Sequence, residues 1–154
     1  MNAKVKNIPQ KVIDTGLVEF KLPFDRGEEK IYFNPNDTEF FLRLSEMIDN
    51  ISELYENAGE EFEATEDNKE KLEIIRRLNG KVKEEFDNAF GNSVADTIFK
   101  YVSPHGIIKS KSQYFAFYIL EYLMPLIEKE TGETAEKANK ALEKAMKKHN
   151  VKYK

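Results

Sequence analysis

One stretch limits the fold of this chain more than any other: YFAFYILEYLMPLI, Tyr114–Ile127. Tyr114, Phe115, Phe117, Tyr118 and Tyr122 place five aromatic residues within nine positions, and apolar side chains lie nearly all round a helix drawn through them. A helix apolar on every side has no face to offer water, so it must sit at the centre of a packed structure or leave one face for a partner. The run is too short to span a bilayer, and it carries Glu121 and Pro125. Pro125 has no amide to bond the Glu121 carbonyl, so the helix is expected to bend there.

The rest of the chain reads as the shell for such a helix. At 154 residues it is long enough to bury one core, and with no cysteine it has neither disulfides nor thiolate chemistry. Residues 1–11 are polar and expected to be flexible, and residues 12–154 form a single domain. GLVEFKLPF alternates, with Val18, Phe20 and Leu22 on one side. With KIYF, where Ile31 and Phe33 point inward, it predicts a β-hairpin over about 16–34 turning at DRGEE. A lone hairpin is marginal in water and needs a helix to cover its apolar face.

Five helices are expected to follow. The first spans about 37–57, opened by an approximate capping box of Asn36 and Glu39, and stopped by Gly59 and an acid run. Its apolar positions are Phe40, Phe41, Leu44, Met47, Ile48, Ile51, Leu54 and Tyr55. The second, 68–90, carries Leu72, Ile75, Leu78, Val82, Phe86 and Phe90, with Gly80 inside it as the expected site of a close neighbour. Gly91 or Asn92 suits its left-handed end. Ser93 then caps a short helix over 93–101, with Val94, Ala95, Ile98 and Phe99 or Tyr101 inward, and Pro104 and Gly106 turn the chain. The aromatic helix spans 111–131. Thr134 caps a last helix over 134–150 with Ala135, Ala138, Leu142, Ala145 and Met146 as a thin stripe. The fold class is mainly α: a single-domain helical bundle with a small N-terminal hairpin.

No catalytic constellation stands out. Ser103 and His105 lie too close in sequence for a nucleophile–base pair, and no third group orients them, so His105 reads as a turn residue. One histidine among glutamates is not a metal site, GEEFEATED lacks the ligand spacing of an EF-hand, and there is neither a GxGxxG nor a Walker lysine. No cofactor is expected. The net charge of −4 argues against nucleic-acid binding. A helix-turn-helix over EEFDNAFGNSVADTIFKYVS would offer only Asp96, Thr97 and Lys100 to a groove. Charge is unevenly spread: Glu53–Asp87 holds 12 acidic and 6 basic residues, and Thr134–Lys154 holds 7 lysines against Glu136 and Glu143. These runs read as solvated faces or as a basic tail that grips an acidic partner or a second copy of the chain. Tyr114, Tyr118 and Tyr122, spaced i, i+4, are the candidate partner-binding face.

Two segments carry a resemblance: FKLPFDRGEEKIYFNPNDTEFFLRL, and FDNAFGNSVADTIFKYVSPHG followed by FAFYILEYLMPLIEKETG. Together they cover about half the chain, and they resemble the small tail assembly chaperones encoded by tailed phages and prophages of Gram-positive bacteria. The match departs at Asn92, where the family often has an acidic residue or glycine. The resemblance implies a non-catalytic protein of the host cytoplasm that keeps the tape-measure protein soluble until the tail tube assembles round it. The alternatives are a structural tail or connector subunit of the virion and, further off, a small DNA-binding regulator.

Overall fold

The computed structural model describes residues 11–151, so the expected flexibility of residues 1–10 lies outside the described residues. Strands β1 (Val18–Phe24) and β2 (Gly27–Phe33) form an antiparallel hairpin closed by Asp25 and Arg26, in the register Val18↔Phe33 to Phe24↔Gly27. Phe20, Leu22, Ile31 and Phe33 face the core as the alternation requires. Phe33 is the centre of an aromatic cluster, with Phe20 stacked at 4.4 Å, Phe90 edge-on at 4.6 Å and Phe40 at 5.4 Å. Burying a side chain of this size contributes about 2–3 kcal/mol. The hairpin is thus held by helices rather than by its own ladder.

Helix α1 spans Phe40–Glu63, longer than the sequence suggests. Gly59 does not end it, because the far end packs against α2 (Asn68–Phe90). Ala58 is part-buried on the core, the Lys71 ammonium lies 4.9 Å from the Phe62 ring, and Arg77 reaches Glu61. These contacts outweigh the ~1 kcal/mol a helical glycine costs. At the start, the expected Asn36–Glu39 box is replaced by two local bonds. Asn34 Oδ1 accepts from the Asn36 amide, and Asp37 Oδ1 accepts from the Glu39 amide.

Helix α2 has the expected bounds and ends on Gly91 at φ 66°. Asp67, at its head, accepts from the Lys69 amide. Its buried stripe is Ile74, Leu78, Val82, Phe86, Ala89 and Phe90. Leu72 is 65 % exposed and Ile75 only part-buried, so the stripe lies one position away from the expected one at this end. Gly80 has no neighbour: a Cβ there would meet nothing within 4 Å.

The short helix α3 is one turn, Ala95–Ile98, and Ser93 does not cap it. Asp87 reaches across from α2 instead, its Oδ1 accepting from the amides of Val94 and Ala95, both at 2.8 Å. After Pro104 the chain forms a miniature hairpin, β3 (Ile107–Ile108) and β4 (Gln113–Tyr114), round a 3₁₀ turn at Lys109–Lys111. Ser112 takes a left-handed conformation, φ 53°, so the aromatic helix α4 cannot begin at 111 and spans Phe115–Thr131. Its first amides are capped by backbone: Phe115 donates to the Gly106 carbonyl and Ala116 to that of Pro104. Gly106 is required by crowding, since a Cβ would lie 2.4 Å from Val102.

In α4, Phe115, Ala116, Phe117, Ile119, Leu120, Leu123, Met124 and Ile127 are buried, and Glu121 and Pro125 lie together on the exposed side, where water can serve the unbonded carbonyl. Helix α5 (Glu136–Lys148) lies against α1 and α4. Its stripe of Ala138, Leu142 and Ala145 is buried with Ala135, and Met146 is part-buried. Thr134 gives no cap. Glu128 of α4 does the work, its Oε1 accepting from the Ala135 amide and the Asn139 side chain. The protein is thus a mainly α domain with an N-terminal hairpin, the aromatic helix burying one side in its core. No helix among the described residues is long and apolar enough to cross a membrane.

Candidate functional site

The three tyrosines do not form one face. Tyr114 belongs to β4, where it precedes α4, and its ring stacks on His105 at 4.5 Å and lies 4.9 Å from Tyr55. The i, i+4 row fails at its first member because the helix begins one residue later. Tyr118 and Tyr122 do share a face. They line a cleft of about 450 Å³ between α4 and the tip of the first hairpin, with Pro23, Phe24, Tyr101 and Phe115 as its other walls.

Several contacts fix the shape of this cleft. Phe24 meets the Tyr101 ring edge-on at 5.2 Å and lies 6.5 Å from Phe115. Glu29 accepts from the Lys100 ammonium at 2.9 Å and from the Tyr101 hydroxyl at 3.4 Å, which holds the Tyr101 wall against β2. The hydrogen bond and charge of Glu29 raise the pKa of Lys100, so the ammonium persists. The lining is mostly apolar, with tyrosine hydroxyls and one carboxylate, Asp25. Tyr122, 39 % exposed, stands at the mouth and Tyr118 is part-buried. Rigid amphipathic rings of this kind suit a protein partner: they bury apolar area at low entropic cost and keep a polar end for the rim.

A second cluster forms round Tyr55 of α1, and the sequence did not announce it. Tyr55, buried, donates its hydroxyl to the Pro104 carbonyl at 2.8 Å, and burial drives its pKa upward. Four rings surround it: His105 at 5.7 Å, Tyr114 at 4.9 Å, Phe117 at 5.1 Å and His149 at 5.6 Å. Both histidines of the chain therefore converge on one tyrosine from positions 44 apart in sequence. His105 does occupy a turn, its amide bonded to Asn79 Oδ1, but its ring is also a packing element. Burial lowers its pKa, and its Nδ1 is buried without a hydrogen-bond partner among the described residues. His149 lies 3.0 Å from the Ser52 hydroxyl and parallel to Phe117 at 5.7 Å. Its pKa is lowered by burial first and by Lys148 second, against the opposing effects of Ser52 and Glu56. The only available signal in the sequence was the scarcity of histidine, which carries no information about pairing.

The two charge runs partly answer each other within one molecule. Asp49, Glu53, Glu56 and Glu60 of α1 face Lys144 and Lys148 of α5 across a shallow cleft, and Lys148 pairs with Glu56. That bond and charge lower the pKa of Glu56. The basic helix thus finds acidic company in its own chain. Among the described residues no three His, Cys, Asp or Glu side chains converge as a metal site requires. Helix α3, a single turn with Ala95 and Ile98 buried, is too short to lie in a DNA groove as a reading helix does. Comparison with family models, curated proteins and solved structures gives no match.

Proposed function

We propose that this chain is a tail assembly chaperone of a tailed phage or prophage, acting in the host cytoplasm without catalysis or cofactor. Its partner would be the tape-measure protein, whose apolar helix faces it covers until tail-tube subunits displace it. The observation that carries the reading is the half-open tyrosine cleft, which joins the two segments bearing the family resemblance: Pro23 and Phe24 come from the first, and Tyr101, Tyr118 and Tyr122 from the second. An amphipathic helix laid in an apolar groove needs such a floor of rings and a polar rim. Each contact can be weak, because a long client offers many equivalent sites and the chaperone must later leave.

The test is co-expression with the long helical protein encoded downstream of this chain, followed by solubility and pull-down. The client is expected to stay soluble only with this chain present, and to co-purify with several copies of it. Tyr122→Glu is expected to abolish co-purification while leaving far-ultraviolet circular dichroism unchanged, because the ring stands at the cleft mouth. If client solubility does not depend on this chain, and the chain is retained in finished particles, it is a structural tail component instead.

A further inference from the structure

The first hairpin has two edges, and the fold closes only one of them. On the β2 side the Asn92 side chain donates to the Tyr32 carbonyl at 2.7 Å, and Lys100, just beyond α3, bonds Glu29. The Tyr32 carbonyl therefore points away from β1. In an antiparallel ladder the backbone groups of successive residues alternate between facing the partner strand and facing away from it. Tyr32 stands opposite Glu19, so the amides and carbonyls of Glu19 and Lys21 point out from the free side of β1. Pro23 fits this direction, since a proline within a strand keeps its nitrogen off the ladder. The chain entering β1 does not cover the edge. It turns at Gly16, φ 77°, and crosses toward the end of β2, where the Thr15 carbonyl accepts from the Asn34 side chain. Among the described residues no other segment bonds the outward groups of Glu19 and Lys21.

The side chains along this edge leave a charge unanswered. Lys21 stands directly opposite Lys30, an arrangement that like charges make unfavourable. Lys30 turns to Glu19 at 3.6 Å, whereas Lys21 is exposed and has no ion pair among the described residues. Glu19 takes both Lys30 and the Tyr32 hydroxyl on Oε1, which leaves Oε2 for a second cation. A lone edge lysine guards a strand against pairing with a neighbour. Here an acid stands two residues before it, so the edge is complementary to itself when run antiparallel. With Phe20 opposite Phe20 of a second copy, Glu19 falls opposite Lys21 in both directions and Val18 opposite Leu22. The exposed Leu17 then falls opposite Pro23. Centring the pair on Glu19 or on Lys21 instead sets like charges against each other.

We propose that the free edge of β1 is a self-association surface, on which two copies pair their β1 strands antiparallel about a two-fold axis at Phe20 and make one four-stranded sheet. Glu19 of one copy and Lys21 of the other then exchange amide–carbonyl bonds both ways, since the outward groups of both residues face the seam. Their side chains lie on the solvent face of the joint sheet, where the Lys21 ammonium reaches the open oxygen of Glu19. The axis stands normal to the sheet, so Phe20 and Leu22 stay in the cores they already fill. The contact is isologous, as a two-fold requires, and its affinity comes from strand addition to an open edge. The proposal does not rest on what fills the tyrosine cleft.

Analytical ultracentrifugation of the full chain from micromolar to millimolar concentration tests this, with circular dichroism to confirm folding of each variant. The parent chain is expected to show a concentration-dependent dimer. Lys21→Glu and Glu19→Lys change exposed side chains, and each alone sets like charges across the seam, so each is expected to weaken its own dimer about ten-fold. Mixed together, the two variants present opposite charges at both facing pairs, and a mixed dimer of about parental affinity is expected. Lys21→Pro removes a donor that points away from the hairpin ladder, so it is expected to give a folded monomer. The proposal is overturned if the parent chain stays monomeric throughout, or if its dimer is indifferent to Lys21→Glu and Lys21→Pro. It is equally overturned if the mixture of charge variants dimerises no better than either alone. A monomeric parent whose Lys21→Pro variant loses a co-expressed client would give the edge to a client strand, against a second copy.

Discussion

Asp87 is the place where the structure makes its most exposed energetic claim. One carboxylate oxygen accepts from two consecutive amides, Val94 and Ala95, at 2.8 Å each. Both bonds are part-buried, and together they cap α3 and lock it to the side of α2. A hydrogen bond to a charged group contributes about 1.5–3 kcal/mol, and loss of a cap costs about 0.5–2 kcal/mol. The two bonds share one acceptor, so the values do not add fully. Asp87→Ala is therefore expected to destabilise the protein by about 2–3 kcal/mol. Asp87→Asn, which keeps an acceptor without the charge, should cost about 1 kcal/mol. Ser93→Ala is the decisive comparison: Ser93 is the residue a sequence rule would choose as the cap, yet it is exposed and is expected to change stability by under about 0.5 kcal/mol. The assay is equilibrium urea unfolding followed by circular dichroism, since the chain has no tryptophan. If Ser93→Ala costs as much as Asp87→Ala, or if Asp87→Ala costs under about 0.5 kcal/mol, the account of this joint is wrong.

Two further outcomes follow from the same structure. His105 and His149 have lowered pKa values, so the unfolded chain binds more protons than the native one as pH falls below the ordinary histidine value of about 6.5. Their contribution is complete above that pH and lost as pH descends toward the native values. Replacing both by Phe, which keeps the ring packing, is expected to flatten the pH 5–6.5 slope measured by urea unfolding. An unchanged slope would place the titration elsewhere. Gly80→Ala, in an exposed helix interior with open space at the Cβ position, should stabilise by about 0.5–1 kcal/mol in the same assay, and a loss would mean an unseen neighbour.

Helix existence was legible because burying one face imposes a period, and the end of α2 was legible because Gly91 is a local signal there. The inward face of the hairpin was legible too, since a one-residue slip would turn Phe20, Leu22, Ile31 and Phe33 to water. Where an end depended on a distant group, the sequence misled. The end of α1 was set by α2 across Gly59, the cap of α3 by Asp87, and the cap of α5 by Glu128. The candidate face failed for the same reason. Tyr114, Tyr118 and Tyr122 share a stripe only if the helix includes the first of them, and Ser112 and the carbonyls of Pro104 and Gly106 start it later.

The sequence by itself determined the mainly α class, the inward alternation of the hairpin and the burial of much of the aromatic run. These follow from period and hydropathy, properties each segment carries alone. Tertiary structure decided the convergence of both histidines on Tyr55, the pairing of acidic α1 with basic α5, and the cleft that Tyr118 and Tyr122 share with Phe24 and Tyr101. Each is a meeting of residues from segments far apart in the chain, held by dispersion, burial and a few hydrogen bonds. No local signal encodes such meetings, because their free energy exists only once the segments touch.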